Sequence, residues 1–316
     1  MSKTSIITVI SGNDIPFLDT CLQSLLLTTA CDQADIVAVC DAGDATREYL
    51  SQAAQLYPHL HPLFRDKKDG NAANRNVGAF HADRGSDYLY FCDSDVVYSD
   101  TNWLSRLVRV LEERPDIGLI GSGSSTALGH FCRIEGDSGL LVHEVMDFTG
   151  VIPTQPVEMM VIPGYSMLIR RRLFDEIGGW DEGFFPVYGE DVDLCLRCIL
   201  AGSKVFSLHD PGVTHLYRDS GRNNSCERLS DDRRLWLTVA SCRRLALKYA
   251  GILPAESPRH YDAWLALTDE LRRAFRLNHV RTGLPPTVMG NRLNPLYLPV
   301  NNDGIRELYT SLYFNY

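Results

Sequence analysis

The chain has 316 residues, 45% hydrophobic and 22% charged, with 31 Lys and Arg against 40 Asp and Glu for a net charge of −9. This ordinary globular composition suits one large α/β domain or a domain with an appendage, and the acidic balance excludes the basic footprint of sequence-independent nucleic-acid binding. No stretch reaches the ~18 apolar residues of a spanning helix, the apolar run at 6–10 is too short for a signal sequence, and nine scattered cysteines suit reduced thiols, so a cytoplasmic location is expected.

Short apolar runs alternate with helical patterns through the first half, the mark of βαβ units and a mostly parallel sheet. Strands are predicted at residues 5–10, 35–40, 61–64, 88–92 and 117–120. Segments 16–28, 45–56, 72–82 and 103–113 carry apolar residues at helical spacing, with Pro16 tolerated in a first turn and Asp100 or Thr101 placed to cap the last. Residues 121–160 show no period that assigns them. A strand is expected over 159–170, a short helix over 171–177, a turn-rich loop over 178–185 and a helix over 191–201 stopped by Gly202. The runs 203–207 and 212–215 are short enough for edge strands. Segments 231–251 and 261–278 read as helices joined by a linker at 253–258. Cys195 and Cys198 form a C-x-x-C inside a helical pattern without a partner pair, and read as packing.

Charge divides the chain. Residues 1–217 hold 16 Lys and Arg against 30 Asp and Glu, whereas residues 218–281 hold 13 against 8. The division places one domain at 1–217 and a helical C-terminal region at 218–316, with an acceptor, lid or association role. The cluster Arg233, Arg234, Arg243, Arg244 and Lys248 beside Trp236 reads as the solvated face of helices packed on the first domain. The alternative is peripheral contact with an anionic membrane face.

Four clusters fall where strands end, which is where open α/β sheets bind ligands. Asp41 follows the strand ending at Cys40 and can accept hydrogen bonds from a ribose or a base. Asn71, Asn74 and Arg75 open a helix whose amide end and guanidinium favour a diphosphate. Asp93, Ser94 and Asp95 end the apolar run 88–92, and paired carboxylates there suit a hard cation such as Mg²⁺ or Mn²⁺ with substrate phosphates. Glu190 and Asp191 start a helix, whose dipole keeps them ionised. Trp180, Phe184, Phe185 and Tyr188 precede that pair and suggest a sugar-binding wall.

The order of these pieces resembles a family 2 glycosyltransferase with the GT-A fold. The resemblance is carried by Asp41, by Asn71 to Gly78 as the "aARN-x-G" helix, by Asp93-Ser94-Asp95 as the DXD segment, by Gly164 to Arg171, and by Gly178 to Arg197 as the "GGWDEGFF…GEDVDLCLR" block. It implies a Rossmann-like, mostly parallel central sheet flanked by helices, with a helical C-terminal extension. It also implies inverting, metal-dependent transfer from a UDP-, dTDP- or GDP-linked sugar to an acceptor that is a glycan, lipid-linked or small. Asp41, Asn71, Asn74, Arg75, Asp93, Ser94, Asp95, Gly164, Trp180 and Arg218 would contact the donor. Asp95, Asp93 and His215 would hold Mn²⁺ or Mg²⁺, and Asp191 would be the base with Glu190 in reserve. Arg218 and Arg222 could close over the diphosphate. A homo-oligomer is compatible with this family.

Two segments depart from the pattern: Ser11-Gly12-Asn13 stands in place of Pro-x-Tyr/Asn, and Gly43-Asp44-Ala45-Thr46 in place of Gly-Ser-Thr-Asp. The nucleotide therefore stays open. Three readings compete: a retaining GT-A transferase, a sugar-phosphate nucleotidyltransferase and an inactive nucleotide-sugar-binding module. The nucleotidyltransferase would need a Gly-rich basic loop after the first strand, which Ser11 to Asp14 does not supply.

Overall fold

The computed structural model describes residues 2–30, 34–123, 127–134, 141–147, 154–216, 237, 241, 244–249, 252 and 253. Its first half is a run of βα units: β1 (Thr4–Ile10), α1 (Ile15–Thr28), β2 (Ala34–Cys40), α2 (Asp44–Leu56), β3 (Leu60–Phe64), α3 (Asn71–His81) and β4 (Tyr88–Asp93). The strands are short apolar runs whose successive side chains serve opposite faces. Ile6 and Tyr90 pack under α1, α2 and α4, whereas Ile7 and Phe91 pack under α3, α5 and α6. Asp14 caps α1 by accepting the Phe17 N–H at 3.3 Å, with Pro16 in the first turn. Gly78 lets α3 lie directly on β1, since a Cβ there would stand 2.3 Å from Ile7 Cγ2.

The second half continues with β5 (Val96–Tyr98), α4 (Trp103–Glu113), β6 (Ile117–Gly123), β7 (Ala127–Ile134), β8 (Leu141–Asp147), β9 (Val157–Met159), β10 (Ser166–Arg170), α5 (Arg171–Glu176), α6 (Glu190–Leu200), β11 (Lys204–His209) and β12 (Val213–His215). The eight-stranded sheet has the order β3-β2-β1-β4-β10-β6-β11-β9. Its β3-β2-β1-β4 half is parallel; β10 runs against both neighbours, and β9 against β11. Thus the carboxyl ends of β1, β2 and β4 open on one side, and Asp41, Asp93 and Asp95 gather there with the start of α6.

Four details differ from expectation. The strand expected at 159–170 is two strands serving different neighbours, because Pro163 and Gly164 interrupt it. β11 is interior, paired with β6 and β9, so its brevity did not mark an edge. The three-residue β5 pairs with β12 in a separate ribbon, and the unassigned stretch contains the β7–β8 hairpin. Residues 244–248 are helical as expected. The domain division at 217/218, the helix at 261–278 and most of that at 231–251 lie outside the described residues, as do Arg218 and Arg222.

Candidate active site

β4 delivers Asp93 to the cleft as its last residue, and Asp95 follows after the half-buried Ser94. The chain then turns immediately into β5, whose pairing with β12 sets His215 opposite Val96. His215 Nε2 consequently lies 3.0 Å from Asp95 Oδ1, and its ring stacks on Tyr165 at 4.5 Å between centroids with 12° between planes. Among the described residues, Asp93, Asp95 and His215 form one group able to hold a metal, their ligand atoms all lying within 4.8 Å of one another. Two carboxylates and an imidazole suit Mn²⁺ or Mg²⁺. The electrostatics fit a cation as well. Enclosure raises the Asp93 carboxyl above its ordinary range, with Asp95 adding to the rise and Arg75 opposing it. Burial lowers His215, but its hydrogen bond to Asp95 and the charges of Asp95 and Asp93 outweigh that and raise it.

Arg75 links this group to the start of α6. It is 1% exposed; its Nη2 donates to Asp93 Oδ1 at 2.6 Å and to the Gly164 carbonyl at 2.9 Å, and its guanidinium lies 4.5 Å over the Trp180 ring. Gly164 in turn donates its N–H to Asp191 Oδ2 at 3.1 Å, and a Cβ on Gly164 would stand 3.1 Å from Asp191 Cβ. Val192 N–H reaches the other oxygen, Oδ1, at 2.8 Å. Gly189, at φ +86°, makes the turn that starts α6. Glu190 beside it is buried, accepts from Asn71 Nδ2 at 3.1 Å through Oε1, and leaves Oε2 without a partner among the described residues. Burial first, then the Asp191 charge, pushes its carboxyl up to about 7 against the pull of Arg75. The two neighbours are therefore unlike: Glu190 keeps a proton to near neutrality, while Asp191 is half-buried and held by two N–H groups.

Asp41 sits 6% exposed at the end of β2 and accepts from Asn74 Nδ2 at 2.8 Å. Burial raises its carboxyl, opposed by the Ser11 hydroxyl and the Asn74 amide. Asn13 joins the loops after β1 and β2 by accepting the Gly43 N–H at 3.0 Å and the Thr46 hydroxyl at 3.2 Å. The segments that depart from the family pattern are thus knitted to each other.

Three readings need correction. Trp180 is fully buried, so it forms no sugar-binding wall; Asn76 holds it through N–H and carbonyl bonds of 2.8 and 2.9 Å, and it supports Arg75. Phe184 is fully buried too. Asn74 and Arg75 are also buried and spend their side chains on Asp41 and Asp93, one step behind the cleft, and Asn71 turns to Glu190. Finally, Arg244 and Lys248 are neither solvated nor available to a membrane. Arg244 donates to both Asp181 oxygens at 3.3 Å, and Lys248 to Asp181 at 2.9 Å and to Asp193. Arg233, Arg234, Arg243 and Trp236 lie outside the described residues. Cys195 and Cys198 are buried in the packing of α6 as expected, the Cys195 thiol donating to the Ile162 carbonyl at 3.9 Å and the Cys198 thiol pushed by burial up to about 12. Tyr165 and Asn13 were missed, since neither a strand tyrosine nor a loop asparagine announces a partner far along the chain.

Residues 5–178, more than half of the chain, match the family model described as "Glycosyl transferase family 2". The chain belongs to glycosyl transferase family 2. It is 24% identical over 280 residues to the O-antigen biosynthesis protein RfbC of Myxococcus xanthus, an alignment covering 80% of the chain and 20% of the relative. The chain thus spans about a fifth of that relative's length. Among solved structures it is similar to GalNAc-T7 with UDP, GalNAc and Mn²⁺, with a TM-score of 0.60, 17% identity, and coverage of 89% of this chain and 55% of that one. It is likewise similar to the mannosyltransferase PcManGT of Pyrobaculum calidifontis in complex with GDP-Man and Mn²⁺, with a TM-score of 0.54, 15% identity, and coverage of 90% and 77%. The chain has the GT-A fold that these neighbours share.

Proposed function

We propose that this glycosyltransferase moves a sugar from a nucleoside-diphosphate sugar to an acceptor hydroxyl with inversion at the anomeric carbon. The observation that carries this reading is the grouping of Asp93, Asp95 and His215 at the end of β4, joined through Arg75 and Gly164 to Asp191. A divalent ion on Asp93, Asp95 and His215 would neutralise the charge that builds on the departing diphosphate. Both structural neighbours were solved with Mn²⁺ and a nucleotide or nucleotide sugar, which supports that assignment. Asp41, at the end of β2, accepts hydrogen bonds from the base or ribose.

Asp191 takes the acceptor's proton. Two N–H groups fix the orientation of its side chain in the first turn of α6. Glu190, protonated to about pH 7, adds no second charge there below that pH. A single base and one in-line displacement give inversion, by the geometric logic of single-displacement glycosidases.

The test is a screen of UDP-, dTDP- and GDP-sugars with Mn²⁺ against glycan and small-alcohol acceptors, with the product followed by NMR. The expected result is a product of inverted anomeric configuration whose formation stops on adding a chelator and resumes with excess Mn²⁺. A rate indifferent to chelator would overturn the metal assignment, and retained configuration would remove Asp191 as the base.

A further inference from the structure

His215 reaches the metal group on a ribbon of two three-residue strands, and three residues per strand give little stability of their own. β5 is anchored independently: Tyr98 donates its N–H to Ser24 Oγ at 3.0 Å, and its hydroxyl lies 3.1 Å from that of Tyr90 in the core. β12 has less. Outside its ladder with β5, it is bounded by the Leu216 N–H donating to the Asp95 carbonyl at 3.0 Å and by the turn at 210–212.

That turn is gripped by Arg106 of α4. Its Nε donates to Asp210 Oδ2 at 3.0 Å and its Nη2 to Asp210 Oδ1 at 2.8 Å, a two-pronged pairing, while Nη1 donates to Asp100. Asp100 follows β5 and Asp210 precedes β12, so one guanidinium holds a carboxylate from the far end of each strand. Asp210 is 2% exposed and also accepts the Gly212 N–H at 2.8 Å, while the Gly212 carbonyl accepts the Ser99 N–H at 2.9 Å. There is no slack: a Cβ on Gly212 would stand 3.0 Å from Asp100 Cβ and 3.2 Å from Arg106 Nη2.

We propose that Arg106, with Asp210 and Asp100, is a positioning clamp that fixes the register of the β5–β12 ribbon and thereby the reach of His215 to the metal group. None of the three belongs to the Asp93, Asp95 and His215 group. The proposal rests on His215 being a metal ligand. Partners behind a metal ligand typically change metal affinity by ~10–100-fold, and lysine keeps the charge of arginine but not its planar fork.

The experiment measures Mn²⁺ affinity by electron paramagnetic resonance with UDP present, together with the thermal midpoint, for wild type, Arg106→Lys, Asp210→Asn, His215→Ala, and Arg106→Lys combined with His215→Ala. Arg109→Ala on the exposed face of α4 is the control. Arg106→Lys and Asp210→Asn are expected to weaken Mn²⁺ binding ~10-fold at a temperature where both remain folded. In the His215→Ala background, Arg106→Lys should cause no further loss, as two residues acting through one ligand are not additive. Unchanged Mn²⁺ affinity with only a lowered midpoint, or a full further loss in the double variant, overturns the clamp and leaves the metal site standing. Unchanged affinity in His215→Ala alone overturns both.

Discussion

Asp191→Asn is expected to lower the rate of glycosyl transfer by ~10²–10⁴-fold, the range in which a general base acts, with donor binding little changed in calorimetry. The asparagine keeps the size of the side chain but has one acceptor oxygen, so it keeps only one of the Gly164 and Val192 N–H bonds, while Arg75 stays held by Asp93 and the Gly164 carbonyl. Loss of the charge also relieves Glu190, whose carboxyl Asp191 helps to push up to about 7. That relief offsets part of the lost N–H bond, worth ~1 kcal/mol, so the thermal midpoint at pH 8 should stay close to that of wild type. A variant that loses activity together with its thermal midpoint would point to a structural role, and one that retains activity would place the base elsewhere.

Asp193→Asn is expected to cost ~3–5 kcal/mol of stability, the range for stranding a buried charge by removing its partner. Asp193 is 0% exposed and accepts from Arg197 Nε at 2.7 Å, from Tyr249 Oη at 2.8 Å and from Lys248. Arg197 is itself 2% exposed and also donates to the Ile177 and Gly179 carbonyls. The change leaves a buried guanidinium short of its counter-charge and loosens residues 244–249 from α6.

The pH dependence has a definite sign. Despite burial, Lys248 and Arg197 hold the Asp193 carboxyl well below the usual carboxylate range. Its contribution is fully present above that range and is lost progressively as the pH falls through it towards the lower pKa of the folded state. Urea midpoints should separate wild type from Asp193→Asn at pH 7 and converge at acid pH. A constant difference across that interval would mean that charge is not what Asp193 contributes.

The parallel half of the fold was legible because its strands and helices carry clean periods: β1, β2, β3 and β4 and the helices between them fall where apolar spacing put them. β12 was read as a short strand at 212–215, but β5 and its pairing with β12 were not, since three residues give no period and Tyr98 and Arg106 tie the ribbon to residues far along the chain. The carboxylates Asp41, Asp93, Asp95, Glu190 and Asp191 were legible from their places at strand and helix ends. The roles of Asn74, Arg75 and Trp180 were not, because sequence places a residue on an element without saying whether it faces the cleft or stands behind it. Arg75 illustrates the point: a guanidinium at a helix start reads as a phosphate contact, yet burial against Trp180 commits it to Asp93 and Gly164.

The most direct test of the site is anomalous scattering from a crystal of the protein soaked with MnCl₂ and UDP, with data collected near the manganese edge. The expected result is one strong peak within coordinating distance of Asp93, Asp95 and His215, with the UDP diphosphate on its open side. A peak held by other residues, or UDP bound in the cleft with no peak at these three, would contradict it.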